Sequence, residues 1–361
     1  MNKVLMLFPR FGIGGIAKAM SFVANVCAEE GMDVCCISMS EEEKLINFSS
    51  KIRTRIIEYG TEGNLVKLFL NKVRFLLRFR KEIKKERPDI IISFGTDLIR
   101  ITVFASIGLN TKIIGSERGN PGAYTNRQFK KYTFGLKKCD AVVFQTEAAR
   151  NFYCTEIQKN SLIIPNPCIA RSERKENKLI NKEKVIVSCG RLSPEKNFQG
   201  LIRAFCNAGV RLEQYQLHIY GSGPEEKNLV SLIESLNAEN IVLCGMVQDV
   251  FAVENNCSMF VLASYTDGMP NALIEAMLEG IPCIATDCPP GGVAFLADDG
   301  RRVALVPVDD TEKLTNEMIK LAEDSDYAAL LIRNAKEIKD VLDPVKIGKE
   351  WLSLVKKVAN S

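Results

Sequence analysis

Short apolar runs alternate with amphipathic segments along the first half of the chain. The run VLMLF is followed by a glycine-rich turn at Gly12 to Gly15, a segment of helical periodicity that ends at Gly31, and a second apolar run, VCCIS. Further apolar runs occur at DIIISF, TKIIGS, DAVVFQ and SLIIPN, and the sequence between them suits helical crossovers. This order predicts a doubly wound α/β domain with a parallel sheet over residues 1–170.

The second half repeats this alternation after a polar interruption. Residues 171–184 are charged and lack apolar periodicity, so we interpret them as a linker between domains. The runs VIVSCG, QLHIYG, NIVLCG, MFVLAS, IPCIAT and ALVPV then predict a second Rossmann-like domain over residues 185–343. Residues 344–361 have a helical pattern, and we expect this helix to pack back on the first domain.

Composition narrows the classes of protein to which the chain can belong. The chain has 361 residues, 46% hydrophobic and 25% charged, which is typical of two soluble domains. Its 12 cysteines include no Cys-x-x-Cys pair, and many lie in apolar runs, which predicts buried thiols in a reducing, cytoplasmic compartment. The single histidine, His218, disfavours a histidine metal cage or a serine triad and is interpreted as structural. No apolar run approaches the roughly 20 residues of a membrane span.

Charge is distributed unevenly between the two halves. Residues 1–170 contain 26 basic and 16 acidic side chains, whereas the remainder has a net charge of −6. Asn71 to Arg87 interleaves leucine and phenylalanine with eight basic and two acidic side chains on a predicted helix. We expect this helix to contact an anionic membrane surface; the alternative is a solvated basic helix packed by its apolar face. No nucleic-acid partner is expected.

The turn between the first strand and the first helix is a candidate for phosphate binding. Gly14 and Gly15 open that helix, where free backbone N–H groups and the positive end of the helix dipole attract an anion. The alternative is that the glycines only permit a tight turn.

A second strand-to-helix turn, Gly190 to Asn197, carries two cations. Ser193 suits an N-cap and Pro194 suits the first helical position. Arg191 and Lys196 flank the turn, where they can neutralise a diphosphate and stabilise it as it departs. A capped helix with solvated charges is the alternative.

Two acids separated by seven residues follow the run MFVLAS. Asp267 is predicted to lie in the loop above the sheet edge, and Glu275 lies one to two turns into the next helix, which begins near Asn271. Both then face the crevice in which open α/β sheets bind ligands. One carboxylate can accept hydrogen bonds from ribose hydroxyls and the other from sugar hydroxyls.

These motifs resemble those of a known enzyme family. The stretch TDGMPNALIEAMLEGIPCIATD, together with VSCGRLSPEKN, HIYGSGPEEKNL, NIVLCGMVQDV and FGIGG, resembles glycosyltransferase family 4, whose members are retaining enzymes of the GT-B fold. The resemblance follows the same order along nearly the whole chain. It implies two Rossmann-like doubly wound domains with the active site in the cleft between them.

The resemblance also implies a role for each motif residue. Glu275 would hold the donor ribose, and Asp267 would contact the transferred sugar where the family more often has glutamate. Arg191 and Lys196 would bind the diphosphate. The remaining donor-binding residues that it implies are Gly14, Gly15, Gly190, Gly221, Gly245, Met246, Val247, Gly268, Met269, Pro270 and Asn271.

A turn in the first domain carries the implied acceptor residues. Turns like Ser-Glu-Arg occur in relatives that build bacterial surface polysaccharides and glycan precursors on lipid-diphosphate acceptors. Glu117, Arg118 and Asn120 would therefore contact the acceptor; the alternative for Glu117 and Arg118 is a surface ion pair at a strand end. The first domain has no histidine, so no general base is assigned, and the leaving phosphate would take the acceptor proton.

The expected function is a hexosyltransferase without a metal or other cofactor. It would move a hexose or N-acetylhexosamine from a UDP-sugar to a lipid-diphosphate-linked saccharide, with retention, at the inner face of the cell membrane. The alternative is a catalytically inactive GT-B scaffold in a polysaccharide assembly complex.

Two other enzyme classes, and a possible metal-binding motif, agree less well with the sequence. A dehydrogenase would use the first glycine turn and Glu41 to Glu43 but leaves the motifs of the second domain unexplained. An epimerase would require several histidines. Asp324-Ser325-Asp326 has a spacing that some metal-dependent transferases use, but it lies in a polar helical stretch and is interpreted as surface.

Overall fold

The chain folds into two compact units in a computed structural model that describes residues 2–12, 14–40, 46–60, 62–168, 183–254 and 256–361. The first unit comprises Met1–Asn166 with Val345–Ser361, and the second comprises Pro167–Pro344. Residues 171–182 of the predicted linker, and Glu41 to Glu43, lie outside the described residues. The last two residues assigned to the linker already belong to a strand that begins at Glu183.

The described part of the first unit contains a seven-stranded parallel sheet in the order β3-β2-β1-β4-β5-β6-β7. Its strands are β1 Lys3–Phe8, β2 Asp33–Ser38, β3 Arg53–Ile56, β4 Ile90–Phe94, β5 Lys112–Ser116, β6 Ala141–Phe144 and β7 Ser161–Ile163. Its helices before the second unit are α1 Gly15–Glu29, α2 Leu65–Glu86, α3 Thr96–Ser106, α4 Asn126–Lys137, α5 Glu147–Asn151 and α6 Thr155–Lys159, with one 3-10 turn at Pro121–Ala123.

The core of the first unit follows from its continuous apolar strands. Central strands β1 and β4 are buried on both faces because helices cover each side of the sheet. Helix α2 contributes Phe75, Phe79 and Ile83, which are spaced by four residues and therefore share one face. The alternation of the sequence thus corresponds to the predicted parallel, doubly wound architecture.

The described part of the second unit contains a six-stranded parallel sheet in the order β10-β9-β8-β11-β12-β13. Its strands are β8 Glu183–Cys189, β9 Gln216–Tyr220, β10 Ile241–Gly245, β11 Cys257–Leu262, β12 Cys283–Thr286 and β13 Ala304–Val306. Its helices are α7 Phe198–Asn207, α8 Glu226–Ser235, α9 Val250–Val253, α10 Asn271–Leu278, α11 Gly292–Ala297, α12 Thr311–Glu323, α13 Ser325–Ala335 and α14 Ile338–Val341, with 3-10 turns at Pro194–Lys196 and Gly209–Arg211.

The final helix, α15 (Pro344–Ala359), packs on the first unit. Trp351 is 1% exposed and stacks on Phe94 at the end of β4, with ring centroids 5.5 Å apart. A Cβ at Gly348 would lie 3.3 Å from the Val26 side chain, so a small residue lets the helix approach α1. The helix therefore supplies core side chains to a sheet that is encoded nearly 200 residues earlier.

Candidate functional site

The site is built where the strand order of the second sheet changes direction. From β8 the chain proceeds outward to β9 and β10, then returns to place β11 on the other side of β8. In such open sheets a crevice forms at the carboxyl ends of the two central strands. The turns after β8 and β11 lie at this edge, and they carry the predicted cations and acids.

The turn after β8 differs in detail from the prediction. Ser193 precedes only the short 3-10 turn, and its hydroxyl donates to the Glu195 carboxylate at 2.6 Å instead of capping a backbone N–H. The longer helix α7 begins at Phe198, and the Asn197 side chain caps it by accepting from the Gly200 N–H at 3.1 Å. Asn197 has a φ of 49°, and this left-handed residue ends the first turn before the helix starts.

The two predicted cations of this turn have different surroundings. The Lys196 ammonium forms an ion pair with the Asp267 carboxylate, and about four-fifths of each side chain is buried. Burial by itself lowers the pKa of Lys196, but the charge and hydrogen bond of Asp267 outweigh it, so the pKa is raised. Arg191 is exposed, and its guanidinium has no partner within the described ranges of the chain. One cation is thus positioned by an acid, while the other is open to an anion.

The turn after β11 is held by backbone contacts with its neighbours. The Tyr265 N–H donates to the Glu195 carbonyl at 2.8 Å, and the Asp267 N–H donates to the Pro289 carbonyl at 3.1 Å. Three turns, after β8, β11 and β12, are therefore bonded to one another. Cys288 is buried beside the ion pair, and burial followed by the charge of Asp267 raises its pKa to about 12.

A close backbone contact fixes the loop that follows Asp267. A Cβ at Gly292 would lie 1.7 Å from the Gly268 carbonyl oxygen, so only glycine fits there without displacing the loop. Met269 and Pro270 are buried below that contact, and α10 begins at Asn271. Gly292 was not predicted as a site residue. The sequence feature that could have indicated it is the pair Gly291-Gly292, which follows β12 at the same edge of the sheet.

Glu275 lies one turn into α10, as the sequence predicts. Its side chain is half-buried, whereas Leu273, Ile274, Ala276 and Met277 around it are buried in the core. The helix therefore presents Glu275 on the face that is not fully covered by the unit. Asp267 and Glu275 thus lie on a loop and on the helix that directly follows it.

The implied nucleotide-binding glycines adjoin one another along the same edge. The Gly190 N–H donates to the Tyr220 carbonyl at 3.0 Å, and the Gly221 N–H donates to the Gly245 carbonyl at 2.8 Å. A Cβ at Gly221 would lie 1.8 Å from the Gly190 carbonyl oxygen, which excludes any side chain at that position. Met246 and Val247 follow Gly245, and Met246 is largely exposed.

In the first unit, Gly14 and Gly15 form the start of α1. Gly14 is the N-cap with a φ of 155°, and its carbonyl accepts the first helical bond from the Lys18 N–H. Among the described residues, no side chain caps this end, and a Cβ at Gly14 would meet nothing within 4 Å. The arrangement leaves room for a ligand at a helix N-terminus.

The implied acceptor residues form an internal network instead of a surface ion pair. Glu117 is 2% exposed, and its carboxylate accepts from the N–H groups of Arg118 and Gly119 and from the hydroxyls of Tyr124 and Tyr153 at 2.8–3.1 Å. Burial raises the pKa of Glu117 despite these four donors. Its oxygens are therefore occupied within the unit.

Arg118 and Asn120 also hold their own unit together. Arg118 donates to the Asn166 side chain at 2.7 Å and lies 4.5 Å above the Phe94 ring, so it does not pair with the Glu117 carboxylate. The Asn120 side chain caps the following 3-10 turn by accepting from the Gly122 N–H. The alternative of a surface ion pair was wrong because both charged groups point into the domain.

The single histidine is part of another internal cluster. His218 Nδ1 lies 2.5 Å from the Glu254 carboxylate, which also accepts from the Tyr220 hydroxyl at 2.6 Å. Glu254 and Tyr220 are buried, and His218 is partly buried. This placement agrees with a structural role for the histidine.

The described residues contain no group of three His, Cys, Asp or Glu side chains arranged to hold a metal ion. Asp324 and Asp326 are exposed, and Asp324 caps α13 by accepting from the Tyr327 N–H. The expectation of a metal-independent reaction stays a prediction. In the same described ranges, no helix has the length and apolar character needed to cross a membrane.

A cavity in the first unit was not predicted from the sequence. It has a volume of about 1120 Å³ and lies between α2, α3 and the ends of the first three strands. Helix α2 begins at Leu65, six residues before the predicted start, and Asn64 caps it. No single segment of the sequence indicates this cavity, because its lining combines α2, α3 and three strand ends that are distant in the chain.

Comparisons with known proteins agree with this architecture. The family model for glycosyl transferases group 1 matches residues 170–338. The full chain is 24% identical to the full length of a Campylobacter jejuni enzyme named GalNAc-alpha-(1->4)-GalNAc-alpha-(1->3)-diNAcBac-PP-undecaprenol alpha-1,4-N-acetyl-D-galactosaminyltransferase. It is also 27% identical, over 98% of this chain and all of the relative, to an uncharacterized glycosyltransferase of Haemophilus influenzae.

Solved structures give the fold. A sucrose-phosphate synthase from Thermosynechococcus elongatus matches all of both chains with a TM-score of 0.83 at 18% identity. Anabaena HepE, solved with UDP and glucose, matches 99% of this chain and all of its own with a TM-score of 0.79 at 17% identity. The expected membership of family 4 is consistent with these matches, which support a glycosyltransferase of the GT-B fold.

Proposed function

We propose that this glycosyltransferase moves a hexose or N-acetylhexosamine from a UDP-sugar to a saccharide linked to a lipid diphosphate, in the synthesis of a bacterial surface polysaccharide or glycan. The name of the Campylobacter relative specifies an undecaprenol-diphosphate saccharide and an N-acetylgalactosaminyl group. Another relative, from Erwinia amylovora, is named as an amylovoran biosynthesis glycosyltransferase. The structure of Anabaena HepE holds UDP and glucose, which supports a UDP-sugar as the donor.

The observation that supports this function most directly is the contact between the turns after β8 and β11. It places Lys196 against Asp267 and leaves Arg191 unpaired among the described residues, at the crevice of the sheet. A donor diphosphate bound there meets two cations, and its sugar lies beside a carboxylate that accepts hydrogen bonds from hydroxyls. Glu275, on the helix that follows, accepts from the ribose.

The proposed reaction needs no covalent enzyme intermediate. The bond between the sugar C1 and the β-phosphate oxygen breaks, and a bond between C1 and the acceptor oxygen forms on the same face. The acceptor proton passes to the departing phosphate oxygen, so that UDP is the second product. Arg191 and Lys196 stabilise the negative charge that grows on the diphosphate as its bond to C1 breaks. The proposal assigns no cofactor.

Membrane contact is the second part of the proposal. Helix α2 contains all but the last residue of the predicted basic segment, and it exposes apolar side chains between Leu65 and Leu77. These side chains are Leu65, Val66, Phe69, Leu70, Val73 and Leu77. An exposed apolar face bordered by cations is typical of a helix that lies in the interface of an anionic bilayer. The enzyme would then act as a peripheral protein at the inner face of the cell membrane.

A donor screen tests the function. The purified protein is incubated with UDP-, GDP- and ADP-sugars in EDTA, and nucleotide release is measured with and without a bacterial lipid-diphosphate-saccharide extract. We expect release from one UDP-sugar, stimulation by the extract, and loss of release in Glu275→Ala. The matched control is Glu234→Ala, which removes an exposed carboxylate from α8 of the same unit.

The screen distinguishes the alternatives clearly. Absence of release and of binding with every donor would contradict the transferase proposal and favour an inactive scaffold. Equal loss in Glu275→Ala and Glu234→Ala would contradict the role of Glu275.

A further inference from the structure

The edge of the second sheet that carries the candidate donor site extends to the turn after β10. Gly190 at the end of β8 adjoins Gly221 after β9, and Gly221 adjoins Gly245 at the end of β10. The turn after β10 therefore lies two strand spacings, roughly 10 Å, from the turn that carries Arg191. A nucleoside diphosphate is long enough to extend over that distance, with its base at the far turn.

This far turn has little buried surface of its own. Gly245 and Met246 are exposed, and Val247 is half-buried. A segment with few buried contacts opens easily unless its ends are held by the rest of the fold. The contacts at the two ends of the turn therefore determine how well it is ordered.

The first end of the turn is fixed by a β-bulge and a hydrogen bond to β9. The register between β10 and β9 shifts between Leu243 and Gly245, so that Cys244 is an extra residue in β10. A bulge of this kind bends the strand and redirects the chain that follows it. The Gly245 carbonyl then accepts from the N–H of Gly221, the residue directly after Tyr220, at 2.8 Å.

The second end of the turn passes into the short helix α9. The Asp249 side chain caps this helix by accepting from the Ala252 N–H at 2.7 Å. Phe251 is buried and packs against Phe260 of β11, with ring centroids 5.7 Å apart. Glu254 follows the helix directly and is 7% exposed, so its carboxylate lies inside the unit.

The buried carboxylate of Glu254 is bound by side chains of β9. The Tyr220 hydroxyl donates to it at 2.6 Å, and His218 Nδ1 lies 2.5 Å from it. His218 and Tyr220 are two residues apart on a strand and share one face, whereas Leu217 and Ile219 face the core on the other side. Burial, followed by the hydrogen bond to Glu254, raises the pKa of Tyr220, so its hydroxyl keeps the proton that it donates.

We infer that the hydrogen bond between Tyr220 and Glu254 positions the turn Gly245 to Val247 for the base of the donor nucleotide. Two consecutive residues at the end of β9 hold both ends of the segment, Gly221 at its start and Tyr220, through Glu254, at its finish. The ends cannot separate unless one of these contacts breaks. Tyr220 and Glu254 are positioning residues, since neither is assigned a contact with the nucleotide. The inference rests on the proposed function, from which it takes a UDP-sugar as the donor.

The test is a titration of the full chain with UDP and, separately, with ribose 5-diphosphate, which lacks the base. Tyr220→Phe removes only the hydroxyl. We expect it to weaken UDP binding roughly tenfold, because a hydrogen bond to a charged group contributes about that factor and its loss lowers the fraction of molecules with an ordered turn. Binding of ribose 5-diphosphate should change less than about threefold, whereas a general loss of folding weakens both ligands alike.

Two further variants serve as controls. Tyr327→Phe removes a hydroxyl that donates to the Glu317 carboxylate at 2.6 Å, the same chemistry on α13 of the same unit. It should change UDP binding less than about twofold, since distant sites act independently. Glu254→Gln keeps an oxygen that accepts from Tyr220 and should stay within about threefold of wild type. Equal effects of the two tyrosine variants, or equal weakening of both ligands in Tyr220→Phe, would overturn the inference.

Amide hydrogen exchange without nucleotide gives a second readout. In Tyr220→Phe, exchange in residues 246–253 should be roughly tenfold faster than in wild type, and in Tyr327→Phe it should be unchanged. If wild type does not bind UDP but exchange still depends on Tyr220, the donor assigned in the proposed function is wrong and the contact still orders the turn. If UDP binds and exchange is insensitive to Tyr220, only the present inference is wrong.

Discussion

Two strand-end turns, one in each unit, carry neighbouring acids and bases but use them differently. After β5, the Glu117 carboxylate accepts from four donors of its own unit and is sealed from solvent. After β8, Lys196 has one acidic partner, and Arg191 has none in the described residues. Charged residues at a strand end therefore indicate a binding site only when internal partners leave some of their hydrogen-bonding capacity unused.

The largest effect is expected from a substitution in the turn after β8, and it should appear in donor turnover. Lys196→Ala should lower donor turnover by about 10²–10³-fold, because it removes a preorganised cation from the departing diphosphate. The measurement is kcat/KM for nucleotide release. Since this change also leaves Asp267 without its partner, Lys196→Ala/Asp267→Asn serves as the control. Recovery of turnover in that double variant would contradict a direct role for Lys196.

The second-largest effect is expected from a substitution at Gly292, which contacts the loop after β11. Gly292→Ala introduces a Cβ 1.7 Å from the Gly268 carbonyl oxygen, so the loop must shift. We expect a loss of about 1–3 kcal/mol in the free energy of unfolding, together with weaker donor binding. Gly209→Ala is the control, since its φ of 54° imposes strain but a Cβ there meets nothing within 4 Å. Equal donor affinity in both variants would contradict the importance of this contact.

A substitution of Glu117, in the turn after β5, should lower stability and leave catalysis unchanged. Glu117→Gln replaces a carboxyl group, whose two oxygens can both accept hydrogen bonds even when one carries a proton, by an amide whose NH2 group cannot accept from the donors that it faces. We expect the free energy of unfolding to fall by about 1–3 kcal/mol at acidic pH, while donor release per folded molecule is unchanged. Denaturant unfolding and the donor assay measure the two quantities.

The pH dependence of the same variant sharpens this prediction. The raised pKa of Glu117 means that the folded state holds the proton more tightly than the unfolded chain. Its contribution to stability is therefore complete below the ordinary pKa of 4.5 and is lost as the pH rises through the folded pKa. The stability difference between wild type and Glu117→Gln should shrink from pH 4 to neutral pH. A difference that grows over this range would refute the assignment.

Tyr153→Phe should have the smallest effect. It removes one donor to Glu117, the hydroxyl at 2.8 Å, and keeps the ring that packs against Phe129 and Phe144. We expect a loss of about 1 kcal/mol in unfolding free energy. A double-mutant cycle with Glu117→Gln should show that the two effects are not additive, because the residues share one hydrogen bond.

The architecture could be predicted from the sequence because the periodicity of apolar residues within short segments indicates the strands and helices. Apolar runs such as VLMLF and MFVLAS became buried central strands, and the acid motif was correctly divided between a loop and a helix that starts at Asn271. Strand-to-helix turns at the carboxyl edge also follow from a parallel sheet. These features depend on neighbours in the chain.

The features that were not predicted depend on the folded chain, and several of them on contacts between segments that are distant in the sequence. Burial of Glu117 requires the Tyr153 hydroxyl, which is 36 residues away, and spacing alone cannot show that the hydroxyl reaches it. The start of α7 depends on the left-handed Asn197, whereas Ser193 and Pro194 satisfied the ordinary rules for a helix start. The cavity beside α2 arises from the packing of two helices and three strand ends, none of which is unusual alone.

The position of α15 has a consequence for how the chain is made. The first unit acquires the Trp351 side chain, which packs on Phe94, only after the ribosome has passed through the whole second unit. During synthesis the first sheet therefore emerges without one of its covering helices, exposing apolar surface that a chaperone can recognise. Completion of the first unit is coupled by chain order to translation of the second.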